Sequence, residues 1–131
     1  MKKTIEFSSK IENINIIEKL IDEISDEIKL HSDLYGKILI AAIEGVNNAI
    51  VHGNKLDEKK DVIFSIEATK DKIQIVIKDM GNGFDYENLP DPTTPENIEN
   101  ISGRGVFLMQ RLSDSIKFSE QGSKVELNFK V

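Results

Sequence analysis

Two spacings, alternation and recurrence at three and four residues, divide the chain into its elements. Lys3 to Phe7, KTIEF, alternates as a short strand. Ile14, Ile17, Ile21, Ile24 and Ile28 then recur on one helical stripe, and Ser9 with Glu12 has the spacing of a capping box. A helix is therefore predicted up to about Leu30, its other faces carrying Glu12, Glu18, Asp22, Glu23, Asp26 and Glu27. His31, Ser32 and Asp33 form a break. Ser32 or Asp33 can cap the next helix, and His31 reads as a surface residue at a helix end. From Ile38 to Asn54 the chain is at first almost wholly apolar, which suits a helix buried on most of its circumference, with Gly53 and Asn54 ending it. Val62 to Ala68 and Lys72 to Lys78 alternate across the short link TKD and read as an antiparallel hairpin. Ser102 to Gly105 opens a third helix that runs through Leu112. Strands at Ser115 to Ser119 and Lys124 to Lys130 follow, with Gly122 supplying the turn between them. This order predicts an α+β two-layer sandwich, in which a mixed or mostly antiparallel sheet is covered on one face by helices.

Composition narrows the class. The 131 residues fit one domain, spanning 1–131, with 39% apolar and 31% charged residues as in a soluble globular chain. Glu44 stops the longest apolar run at six residues, short of a membrane span, and the N-terminus has no apolar stretch after Lys2 and Lys3 to make a secretory signal. There are no cysteines, so disulfides and thiolate chemistry are excluded, and a cytoplasmic location is expected. A net charge of −6 argues against direct nucleic-acid binding. Any phosphate ligand must be held by local devices: backbone N–H groups, a metal or a single basic side chain.

Three places interrupt the core pattern with chemistry. Glu44, Asn47 and Asn48 lie inside the apolar helix, where unpaired polar groups are costly. Glu44 and Asn48 are four apart and share a face, which His52 continues. A carboxylate and an amide oxygen so aligned suit a hard cation and an activated water. A polar patch at a subunit contact would look the same. Asp79, Gly81 and Gly83 stand at the end of a strand: a carboxylate can accept from an exocyclic amine such as that of adenine, and glycines let backbone approach a flat base. Gly103, Arg104 and Gly105 precede a helix whose free N–H groups suit phosphates. Either glycine motif alone is equally an ordinary turn or loop. Between these two motifs, residues 86–102 contain all three prolines and read as a lid. No G-x-G-x-x-G follows the first strand and no P-loop pattern is present.

Taken together, EGVNNAIVHGN, IKDMGNGFD, DPTTPEN, SGRGVFLMQRLSDSIKF and GSKVELNF resemble the GHKL (histidine-kinase-like) ATPase fold, and more closely its small bacterial anti-sigma-factor serine kinases of the SpoIIAB and RsbW type. The resemblance covers about Ile38 to Val131. It implies that Asn48 ligates Mg²⁺ bridging the phosphates of ATP and that Glu44 is the general base or orients the attacking hydroxyl. It implies further that Asp79 binds the adenine amine beside Gly81 and Gly83, and that Gly103, Arg104 and Gly105 meet the phosphates. Ser123 stands where the wider fold has threonine and keeps the hydroxyl. The lid has no lysine or arginine, leaving Arg104 as the nearest cation in sequence.

The implied activity is ATP-dependent phosphorylation of serine or threonine on a small anti-anti-sigma (STAS-like) partner, with sequestration of a sigma factor, by a homodimer. The alternative is an ATP-binding switch without significant kinase activity. Glu44 favours the kinase, because nucleotide binding alone needs no base. A histidine kinase would need a phosphoacceptor hairpin, and a gyrase- or MutL-type ATPase a transducer domain.

Overall fold

A computed structural model describes residues 1–81 and 101–131, the latter without the side chains of 101–104. Strand β1 is Lys2–Ser8, followed by helices α1, Ile14–Ile28, and α2, Ser32–Asn47. The hairpin is β2, Asp61–Ala68, and β3, Lys72–Lys78. Helix α3, Ile101–Leu112, leads to β4, Ser115–Ser119, and β5, Lys124–Lys130. The five strands form one sheet in the order β1-β2-β3-β5-β4, and every pairing is antiparallel.

Alternation in the strands sorts the two faces of the sheet. Phe7, Val62, Phe64, Ile66, Ile73, Ile75, Ile77, Val125, Leu127 and Phe129 point into the core. Polar residues hold much of the other face, where the Gln74 amide donates to Glu126 Oε1 at 2.6 Å and to Asn128 Oδ1 at 3.1 Å. Removing a side chain such as Phe64, which has 0% exposure, from water contributes about 1.5–3 kcal/mol. On the helical side, α1 buries Ile17, Leu20, Ile21 and Ile24, so its stripe is the expected one with Leu20 added. Helix α2 buries Ile38, Ala41, Ala42, Gly45 and Val46 and is packed between α1 and α3.

The helix starts differ from expectation. Ser9 does not cap α1. A tight turn at Ile11–Asn13 precedes that helix, and the Ser9 hydroxyl, 1% exposed, donates instead to the Lys60 carbonyl at 2.7 Å. A long-range partner has taken the oxygen that a local cap would use. His31, not Ser32 or Asp33, caps α2: its Nδ1 accepts the Asp33 N–H at 3.2 Å. Ser32 is already helical. Helix α1 ends where Lys29 takes the left-handed conformation, φ 55°.

Helix α2 runs on into a wider turn, Asn48–Gly53, in which the Asn54 N–H reaches back five residues to the Ala49 carbonyl at 2.8 Å. Such wide turns favour functional sites because they re-aim the residues that follow. The combined helix, Ser32–Gly53, has 22 residues and contains an 18-residue window with a mean hydropathy of 1.3, enough by length and composition to cross a membrane. Here it is the central helix of the layer on the sheet, with Ile38, Ala41, Ala42, Val46 and Ile50 buried. The proposed lid at 86–102 falls outside the described residues except for its last two, which belong to α3.

Candidate functional site

The antiparallel register builds the floor of a pocket. Ile77 on β3 stands opposite Val125 on β5, and Val125 opposite Phe118 on β4. These three, with Met109 of α3 and Ala49 beyond α2, make the apolar lining. Asn48, His52, Asp79 and Ser123 supply its polar atoms. Counted with the open solvent at its mouth, the space is about 460 Å³. An apolar pocket with a carboxylate in its lining suits a heteroaromatic base bearing an amine.

Asp79 follows β3 directly. Its N–H donates to the Ser123 carbonyl at 2.9 Å, and its Oδ1 accepts the Gly81 N–H at 2.8 Å. The side chain is held in one pose, with Oδ2 outside that pairing. Burial pushes the Asp79 carboxyl above its ordinary value of 3.8, while the Gly81 N–H and the charge of Lys60 oppose the shift. The glycines are required by close approach. A Cβ on Gly53 would overlap the Asp79 carboxylate, and one on Gly81 would overlap the Gly53 carbonyl. Gly53, expected only to end a helix, is therefore part of this wall. Gly83 lies outside the described residues.

Glu44, which is not among the residues lining the pocket, and Asn48, which is, meet the start of α3. A Cβ placed on Gly105 would lie 3.1 Å from each of Glu44 Oε2, Asn48 Oδ1 and Asn48 Nδ2. The three polar atoms thus converge on one point, where a side chain on residue 105 would be tight against them. Asn48 Oδ1 is buried and has no hydrogen-bond partner among the described residues. A buried carbonyl oxygen without a donor is costly, and a cation would satisfy it. Among the described residues no three His, Asp or Glu side chains cluster as a complete metal cage. A single protein oxygen with phosphate and water oxygens is how Mg²⁺ is usually held, so the donor set fits that ion.

The Gly-Arg-Gly motif is placed differently from expectation. Helix α3 begins at Ile101, so Gly103, Arg104 and Gly105 lie within its first turns and not ahead of it. The Arg104 side chain is outside the described set. At the β4–β5 link, Glu120, Gln121 and Gly122 all take positive φ, and the Ser123 hydroxyl donates to the Glu120 carbonyl at 2.8 Å. Ser123 lines the pocket while its own hydroxyl holds this turn.

Sequence reasoning missed the apolar lining and one polar residue, Asn54. The amide of Asn54, 1% exposed, donates to Ser9 Oγ at 2.8 Å and to the Asp61 carbonyl at 3.1 Å, and its oxygen accepts the Met80 N–H at 2.7 Å. An asparagine after a glycine at a helix end gives no local sign of such a role.

The family described as the histidine kinase-like ATPase domain matches residues 7–129. The anti-sigma F factor of Clostridium perfringens is 30% identical over 138 aligned positions, covering 99% of this chain and 96% of that protein. The serine-protein kinase RsbW of Staphylococcus aureus is 35% identical over 96 positions, covering 67% of this chain and 60% of that protein.

Proposed function

The chain belongs to the histidine kinase-like ATPase family, and from that premise we propose that it is an ATP-dependent serine/threonine protein kinase of the anti-sigma-factor type. Its protein substrate is a small anti-anti-sigma protein, and it also sequesters a sigma factor. It works in the cytoplasm as a homodimer. The observation that carries the reading is the convergence of Glu44 and Asn48 on Gly105, with Asn48 lining the same pocket as Asp79.

In this reading adenine lies in the slot over Ile77 and Val125, with its exocyclic amine on Asp79. Asn48, whose Oδ1 is buried without a partner among the described residues, would hold Mg²⁺, and the N–H groups at the start of α3, with Arg104, would meet the phosphates. Mg²⁺, when bound, neutralises charge that develops on the phosphoryl oxygens. Glu44 supplies what nucleotide binding by itself does not need. As the acceptor hydroxyl oxygen bonds to the γ-phosphorus and the bond to the ADP oxygen breaks, the hydroxyl proton passes to the Glu44 carboxylate.

The test is phosphorylation of the cognate partner at saturating Mg-ATP, followed by mapping of the modified residue. Glu44→Gln keeps shape but removes the base, and is expected to bind ATP normally while turnover falls roughly 10²–10⁴-fold. Asn48→Ala is expected to lose Mg-ATP binding and turnover together. A wild-type rate for Glu44→Gln would refute the base assignment. A wild-type protein that binds Mg-ATP yet never phosphorylates its partner would replace the kinase by a nucleotide-dependent binding module.

A further inference from the structure

We infer that Asn54 is a positioning residue that sets base selectivity, an assignment that rests on the proposed adenine site. Three segments distant in sequence meet at its amide. The amide nitrogen holds the exit of β1 through Ser9 Oγ at 2.8 Å and the entry of β2 through the Asp61 carbonyl at 3.1 Å. The amide oxygen holds the Met80 N–H, the peptide that immediately follows the base-reading carboxylate, at 2.7 Å. All three bonds involve a side chain buried to 1% exposure, so water does not readily replace them.

The geometry around Asp79 shows why this peptide matters. Asp79 is fixed from one side by its own N–H on the Ser123 carbonyl, and from the other by Gly81 on Oδ1. The Gly81 N–H can reach Oδ1 only if the intervening Met80 peptide is turned correctly. That peptide's N–H points at Asn54. The Met80 side chain is 61% exposed, and its sulfur accepts the Asp61 N–H at 3.4 Å, a weak contact. The orientation of the Asp79 carboxylate in the slot is therefore set through Asn54, although Asn54 is not among the residues lining the pocket. Its oxygen acts on the base site, while its nitrogen serves the packing of the N-terminal segment.

That division of labour makes the inference testable against a merely structural role. Asn54→Ala removes the bond to Met80 together with the others, whereas Ser9→Ala removes only an N-terminal partner of the same network. Calorimetric titration of wild type and both variants with ATP and with GTP gives the selectivity ratio, and thermal melting gives stability. Both variants are expected to melt lower. Only Asn54→Ala is expected to narrow the ATP-to-GTP affinity ratio, by roughly tenfold, the value of about one hydrogen bond. A wild-type ratio in folded Asn54→Ala, or an equal narrowing in Ser9→Ala, overturns the inference. If Asn54→Ala does not fold, amide exchange of the wild-type protein decides: the Met80 N–H is expected to be protected, and exchange at the rate of an unstructured peptide overturns the inference. A wild-type protein without preference for ATP over GTP overturns the adenine site itself, and this inference with it.

Discussion

Asp79→Asn should change the ligand preference of the site while leaving the protein folded. The structure supplies each step of that expectation. Asn keeps an Oδ1 to accept the Gly81 N–H, now at 2.8 Å, and the backbone bond from the residue 79 N–H to Ser123 does not involve the side chain. The local turn therefore survives. What changes is the other oxygen, which becomes an NH₂ group. Adenine presents an amine donor there and guanine a carbonyl acceptor. Against adenine the variant sets donor against donor and also removes the charge from the hydrogen bond. A hydrogen bond to a charged group contributes about 1.5–3 kcal/mol, so ATP affinity is expected to fall by about ten- to a hundredfold. GTP affinity is expected to rise. Unliganded stability is expected to move the other way, because Asp79 is 9% exposed and burial disfavours its charged form. Removing that charge is expected to leave the melting temperature at neutral pH unchanged or higher. Calorimetry with ATP and GTP, and a melting curve on the same preparation, test all three expectations. Equal ATP affinity in wild type and variant would refute the base-reading role. A large fall in melting temperature would mean that the carboxylate is needed for the fold.

The raised pKa of Asp79 gives a second expectation with a definite sign. Its ionised form accepts from adenine, so ATP affinity is expected to decline as pH falls through the raised value, above 3.8, and Asp79→Asn is expected to be flat over the same range. The group's contribution to unliganded stability runs oppositely: it is full below the unfolded value and is lost as pH rises through the folded one. Identical pH profiles for both proteins would exclude Asp79 as the titrating group. The proposed homodimer is expected to give about twice the 14.8 kDa chain mass by light scattering at micromolar concentration. The single-chain mass there would refute it. Exposed Ile11 and Ile16, at 49% and 43%, offer apolar surface on the N-terminal segment for such a contact.

Local pattern decided the elements of this protein. Alternation alone placed β3 at Lys72–Lys78 and the last two strands at the ends they have, because each strand has one buried and one wet face. The isoleucine stripe of α1 was legible for the same kind of reason. Glu44 and Asn48 stood out because polar residues in an apolar helix demand partners, and Asp79 because it stands at a strand end ahead of glycines; Asn48 and Asp79 line one pocket, and Glu44 meets Asn48 at Gly105. Only the tertiary structure decided which strands pair beyond the hairpin. The pairing of β3 with β5 set Ile77 beside Val125 and so beside Phe118 as one floor, and no local signal encodes the β3–β5 register. Close approach was hidden in the same way. Gly53 reads as a helix end and Gly105 as a phosphate loop, until Asp79 and the Glu44–Asn48 pair are seen pressed against them. Ser9 and Asn54 show the limit most clearly. Each has a good local reading, as a helix cap and as a helix end. Asn54 keeps its place at the helix end and Ser9 loses the cap, yet their side chains form a buried hydrogen bond to each other, 45 residues apart, because a polar group sealed from water takes whichever partner the fold brings within reach.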